Sequence, residues 1–136
     1  MEYVHIERQK LIEIGSQSGV GAKTVTALAG DWKGAYMIAS IVFDDCLPEA
    51  EIHKKSADVW HVVRGTGKII VGGELVNGRT VADNELVGSE IAGGTIVSVV
   101  EGDVVDIPPG VPHQIDARGG RLEMMIVKVH MVSSSH

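Results

Sequence analysis

Between Glu101 and His113 the chain reads Gly102, five residues, Pro108, one residue, Gly110, two residues, His113. The run Val104-Val105-Asp106-Ile107 predicts a short strand. Pro108, Pro109 and Pro112 then fix φ and remove backbone donors, while Gly110 allows a turn conformation, so no helix or central strand continues through the segment. What remains is a rigid turn that presents one imidazole, His113. An earlier segment, Glu51 to Gly65, has a similar build. Glu51 and His53 are two residues apart and share one face of a strand. Lys54-Lys55-Ser56-Ala57 then turns the chain, and Asp58, Trp60 and Val62 alternate on a return strand that ends at Gly65. Glu51, His53, Asp58 and His113 are therefore four potential metal ligands in two strand–turn units.

The rest of the sequence is consistent with an all-β chain. Seventeen glycines, many beside β-branched residues, suit a protein with many tight turns. Thr24–Leu28 and Ala35–Phe43 read as a hairpin around Trp32, with Met37, Ala39, Ile41 and Phe43 on one face of the second strand. Leu122 to Val132 reads as a final long strand with Leu122, Met124 and Ile126 on one face and Met125, Val127 and Val129 on the other. Residues 1–14 read as short strands, or as one strand and a helical turn. Gly15 to Lys23 reads as a flexible loop, because Ala22 between Gly21 and Lys23 spoils the spacing of a phosphate-binding loop. The stretch 74–94 reads as a long polar connection, either a lid at the barrel mouth or an extended hairpin packed on a partner subunit.

With 136 residues, 44% of them hydrophobic, the chain holds one core, assigned to residues 1–132, and 133–136 reads as a disordered tail or an expression remnant. A net charge of −6 without basic runs argues against nucleic-acid or membrane partners, and no apolar run is long enough to span a bilayer. A lone cysteine, Cys46, and an N-terminus without a signal pattern point to a reducing cytoplasm. Two acids and two histidines suit one divalent transition metal per chain: Mn²⁺, Fe²⁺, Ni²⁺ or Zn²⁺. The metal-free alternative is a hydrogen-bonded polar cluster with Glu51 paired to Lys54 or Lys55. His5 reads as an exposed or subunit-contacting histidine, His61 lies on the strand face opposite Asp58 and reads as no ligand, and His130 reads as structural.

The two segments resemble the paired motifs of the cupin superfamily. In the second motif Gly102, Pro108, Gly110 and His113 all match, and only the closing asparagine is replaced, by Ala117. In the first, His53 and Gly65 match, Glu51 stands in place of the first histidine, Asp58 in place of the glutamate and Asp45 in place of the opening glycine. The resemblance implies a double-stranded β-helix, or jelly-roll, cupin barrel and a homodimer. It also implies a metal held by Glu51, His53, Asp58 and His113, with Glu51 or Asp58 moving a proton and with Trp60, Val62, Met124 and Ile126 lining a pocket for a small, partly apolar substrate. Dioxygenase, isomerase and lyase chemistries all fit. Two further readings stay open: a non-catalytic binding or sensing barrel, and a metal-free isomerase or epimerase that uses His53 with Glu51 or Asp58.

Overall fold

The computed structural model describes residues 2–131. The boundary expected at 132 and the tail expected at 133–136 lie outside the described residues. Among the described residues one helix, α1 (Arg8–Gln17), precedes thirteen strands: β1 (Lys23–Gly30), β2 (Tyr36–Asp44), β3 (Ala50–His53), β4 (Ser56–Gly65), β5 (Gly67–Val71), β6 (Glu74–Val76), β7 (Arg79–Ala82), β8 (Glu85–Gly88), β9 (Glu90–Ala92), β10 (Thr95–Val99), β11 (Val104–Ile107), β12 (His113–Asp116) and β13 (Arg121–His130). Two antiparallel sheets carry the fold, one ordered β1-β2-β13-β4-β11 and the other β10-β5-β12-β3-β8-β7, with β6 and β9 pairing apart from them. Neighbours in the sheets are mostly distant in sequence, as in a jelly roll.

Period-two patterning fills the space between the sheets. Met37, Ala39, Ile41 and Phe43 of β2 meet Trp60 and Val62 of β4 and Leu122, Met124 and Ile126 of β13 in one buried cluster, which Ile69 and Ile115 close from the opposite sheet. The faces assigned from sequence to β2 and β13 are those found.

The N-terminal region departs from the expected strands and loop. Residues 8–17 form α1, and Gly15 is buried where a side chain would run into the carboxylate of Glu123. Good helix formers from Arg8 to Glu13 permit the helix, and tertiary contacts hold it. Arg121 donates to the Gly15 carbonyl in the last turn of the helix, and Arg64 donates to both oxygens of Glu123 at 2.8 and 3.0 Å.

The stretch 74–94 is likewise not an unstructured connection. Its apolar residues fall into four strands of three or four residues, turned at Asn77 and Asn84, which have φ of 53° and 63°. Asparagine tolerates that left-handed geometry, so short strands can reverse tightly. Of these strands, β8 joins the second sheet beside β3.

The motif positions have local reasons. Gly110, at φ 82°, donates its N–H to the His53 carbonyl at 2.8 Å, so the proline turn is tied to the strand that carries the other histidine. Asp45 has φ 41° and accepts a hydrogen bond from the Gly119 N–H at 2.7 Å, so an aspartate fills a left-handed position that the cupin motif gives to glycine. Gly65 is less replaceable. It has φ 87°, and a Cβ there would strike the Arg121 carbonyl. Gly65→Ala is expected to cost about 2 kcal/mol or more in urea unfolding. A change under about 0.5 kcal/mol, the usual surface value, would refute that account.

Candidate functional site

The two ligand strands lie side by side. Within the second sheet β12 pairs β3 with His113 directly opposite Glu51, and on the far side of β3 the residue opposite His53 is Glu85 of β8. Asp58 reaches the same end of the barrel from β4, in the first sheet. Glu51 Oε2 lies 3.3 Å from His53 Nε2 and 3.7 Å from His113 Nε2, and Asp58 Oδ2 lies 3.4 Å from His53 Nε2. One ligand atom from each of Glu51, His53 and His113 falls within 4.8 Å of the others, a spacing that a single ion can bridge. Asp58 stands beside this set and outside it.

Second contacts orient both imidazoles. His113 Nδ1 donates to the Val111 carbonyl at 3.0 Å, which leaves the Nε2 lone pair facing the site. That Nε2 is buried and has no hydrogen-bond partner. His53 Nδ1 is 2.6 Å from Glu85 Oε2, so its Nε2 also faces inward. The His53 and His113 rings are 4.9 Å apart, and Trp60 meets His113 edge-on at 5.4 Å.

A cavity of about 40 Å³ opens beside Glu51, Asp58 and His113, walled by Trp60, Phe43 and Met124. That exceeds the roughly 10–15 Å³ that a single water needs, so the cavity has room for water beside the ligands. Trp60 and Met124 line the cavity. Val62 and Ile126 share those strand faces but end in the buried cluster and do not line it. A shallower hollow of about 210 Å³ lies across Glu51 and His53 beneath Val81, Leu86 and Val87. Glu51 pairs at 3.4 Å with Lys23, not with Lys54 or Lys55.

Two residues of the site are not singled out by the sequence reading. Glu85 sits in the stretch read as a loop, so nothing local points to it. Lys128 does carry a signal, because it continues the inward parity of Leu122, Met124 and Ile126. Its Nζ lies 2.7 Å from Asp58 Oδ1, off the hydrogen-bonding direction, in a close ion pair.

The charges are strongly coupled. Burial opposes the His53 imidazolium, yet hydrogen bonds to Asp58 and Glu51 outweigh it and raise its pKa to about 10. Burial also opposes the Asp58 carboxylate, while His53 and Lys128 hold its pKa down to about 2. Burial opposes the Glu51 carboxylate too, yet the hydrogen bond from His53 and the charge of Lys23 hold it well below the usual carboxylate range. In the metal-free protein, the His53 contribution to stability is complete below the unfolded value of 6.5 and is lost as pH rises through about 10. The Asp58 contribution is present above 3.8 and is lost as pH falls through about 2. Urea midpoints measured with chelator present are therefore expected to decline on both sides of the window from 3.8 to 6.5. A flat profile above that window would contradict the His53 assignment.

No protein-family model and no curated protein matches the chain in sequence. Solved structures do match its fold. A cupin 2 conserved barrel domain protein from Rhodopseudomonas palustris shares 22% identity, with 83% of this chain and 63% of that one aligned at a TM-score of 0.55. That alignment spans less than two thirds of the Rhodopseudomonas protein. A Klebsiella pneumoniae protein with a double-stranded β-helix domain shares 10% identity over 98% of this chain and 95% of its own, at a TM-score of 0.63. Pac13, a nucleoside dehydratase, shares 13% identity over 85% of this chain and 76% of its own, at 0.56, and substituted variants of Streptomyces Pac13 are also known with uridine. Identities this low speak for architecture alone. No helix among the described residues is long and apolar enough to cross a membrane. Facing antiparallel sheets, the proline turn beneath His113 and these structural likenesses together give the chain the cupin fold, a small double-stranded β-helix barrel.

Proposed function

We propose that this barrel is a metal-dependent enzyme acting on a small, partly apolar organic molecule. The carrying observation is the buried, unpartnered Nε2 of His113, aimed at Glu51 and His53. A lone pair buried without a donor is costly, and a cation beside it removes the cost. Two imidazoles and one carboxylate suit Mn²⁺, Fe²⁺, Ni²⁺ or Zn²⁺, and the residues present fit such an ion. When bound, the ion supplies Lewis acidity or redox chemistry with coordination positions left for substrate.

The surrounding residues have separate tasks. Glu51, His53 and His113 hold the ion, and Glu85 fixes the orientation of His53. Trp60, Phe43 and Met124 give the cavity the apolar wall that meets the apolar part of the substrate. Asp58, ionised and outside the ligand set, is placed to accept a proton. That task favours isomerase or lyase chemistry over oxygenase chemistry, and dehydration, the reaction named for Pac13, belongs to the lyase class. The homodimer and the cytoplasmic location expected from sequence belong to this proposal as well.

One observation favours a second reading. His53, charged and gripped by Glu51, Asp58 and Glu85, is a ready general acid in a metal-free isomerase. Elemental analysis decides between the two. Protein stripped with chelator and offered each of the four ions is expected to take up about one per chain. No uptake of any of them would sink the metalloenzyme and leave the acid–base barrel.

A further inference from the structure

The inward face of β13 runs Leu122, Met124, Ile126 and then Lys128. Lys128 sits directly across from Asp58 of β4 in the sheet register. Both are buried, at 2% and 4% exposure. Buried charges of this kind persist when each compensates the other. The 2.7 Å contact between Lys128 Nζ and Asp58 Oδ1 supplies that compensation. The Trp32 ring, from the turn between β1 and β2, lies 5.5 Å from the ammonium and covers it with a cation–π contact. An apolar side chain would continue the packing of Leu122, Met124 and Ile126, so packing alone does not account for a lysine here.

Asp58 is a carboxylate shared between two neighbours. Oδ1 belongs to Lys128, and Oδ2 lies 3.4 Å from His53 Nε2. It is close enough to the site to act there, yet it stands outside the group of ligand atoms that Glu51, His53 and His113 form. Moving it onto an ion would leave the ammonium unpaired in the barrel interior. We propose that Lys128 is a positioning residue that holds Asp58 off the metal, so that the protein supplies three ligands and Asp58 stays an uncoordinated carboxylate at the edge of the site. The inference rests on the metal reading above. It revises the four-ligand set drawn from sequence, and it accounts for an aspartate in the place of the motif's glutamate, because Asp58 serves Lys128 rather than the ion. Coordination positions that a fourth protein ligand would fill are thereby left for substrate.

The test is metal binding by the full chain with Co²⁺ alone as the probe, read by chelator competition and by the visible spectrum of the bound ion. The variants are Lys128→Met, Asp58→Asn and the double variant, which removes both charges and so guards against a single variant that fails to fold. If Lys128 holds Asp58 away, the double variant binds one Co²⁺ with an affinity within about threefold of the unaltered protein and an unchanged spectrum, well short of the 10- to 100-fold loss that even an outer-shell partner can cause. Lys128→Met frees Asp58 to coordinate, and is expected to bind at least about tenfold more tightly with a shifted spectrum. Loss of Co²⁺ from the double variant to the extent seen in Glu51→Ala would make Asp58 a ligand and overturn the proposal while leaving the metalloenzyme intact. An unaltered protein that binds no Co²⁺ would overturn the metal reading, and this inference with it.

Discussion

His113→Ala is expected to abolish metal uptake, lowering affinity by more than about 100-fold, beyond the range typical of outer-shell changes. His113 has a pre-set tautomer, with Nδ1 committed to the Val111 carbonyl and Nε2 buried without a partner. Its strand begins straight after the proline turn, and Gly110 in that turn is bonded to the His53 carbonyl. Little ordering is left for binding to supply, so its removal takes away a preorganised ligand. Glu51→Ala should lose the ion as well, since Glu51 lies between the two imidazoles and is the carboxylate of the set. Folding provides the control. Removing an imidazole next to Trp60 leaves a space, so circular dichroism and a cooperative urea transition must show the variant folded before its metal content is compared. A folded His113→Ala protein that still holds a stoichiometric ion would remove His113 from the site.

The second large effect concerns stability and needs no metal. Removing one partner of the Asp58–Lys128 pair, as in Asp58→Asn, leaves a buried charge uncompensated and is expected to cost about 3–5 kcal/mol. For a chain of this size that lowers Tm by on the order of 10–20 °C. Lys128→Met should cost a comparable amount. The double variant should recover much of the loss, because a neutral pair leaves no unpaired charge in the barrel. Thermal unfolding of the metal-free proteins reads all three as a double-mutant cycle. Losses that simply add would mean the two charges do not depend on one another, despite lying 2.7 Å apart.

Part of the site is legible in the sequence. Spacing places Glu51 and His53 on one strand face, and prolines and glycines in set places announce a rigid turn before His113. Strand alternation also places Asp58, Trp60 and Val62 on one face of β4. These are local properties, set within a few residues by backbone geometry. The helix Arg8–Gln17 is not legible in this way, because its support comes from Arg121 and Glu123, more than a hundred residues away. Glu85 escapes for the same kind of reason, since a polar stretch read alone does not reveal that β8 will lie beside β3.

Lys128 marks the dividing line between the two sources. Its inward parity is written in the alternation of β13, and the sequence by itself therefore determined that a lysine points into the barrel. Which carboxylate it meets was decided by the pairing of β13 with β4, which sets Lys128 opposite Asp58 across seventy residues of chain. The sequence alone likewise determined an all-β barrel, the turn beneath His113 and the candidate ligands. Only the tertiary structure decided which of them converge, because strand faces follow from a two-residue period while register and sheet order follow from contacts between distant segments.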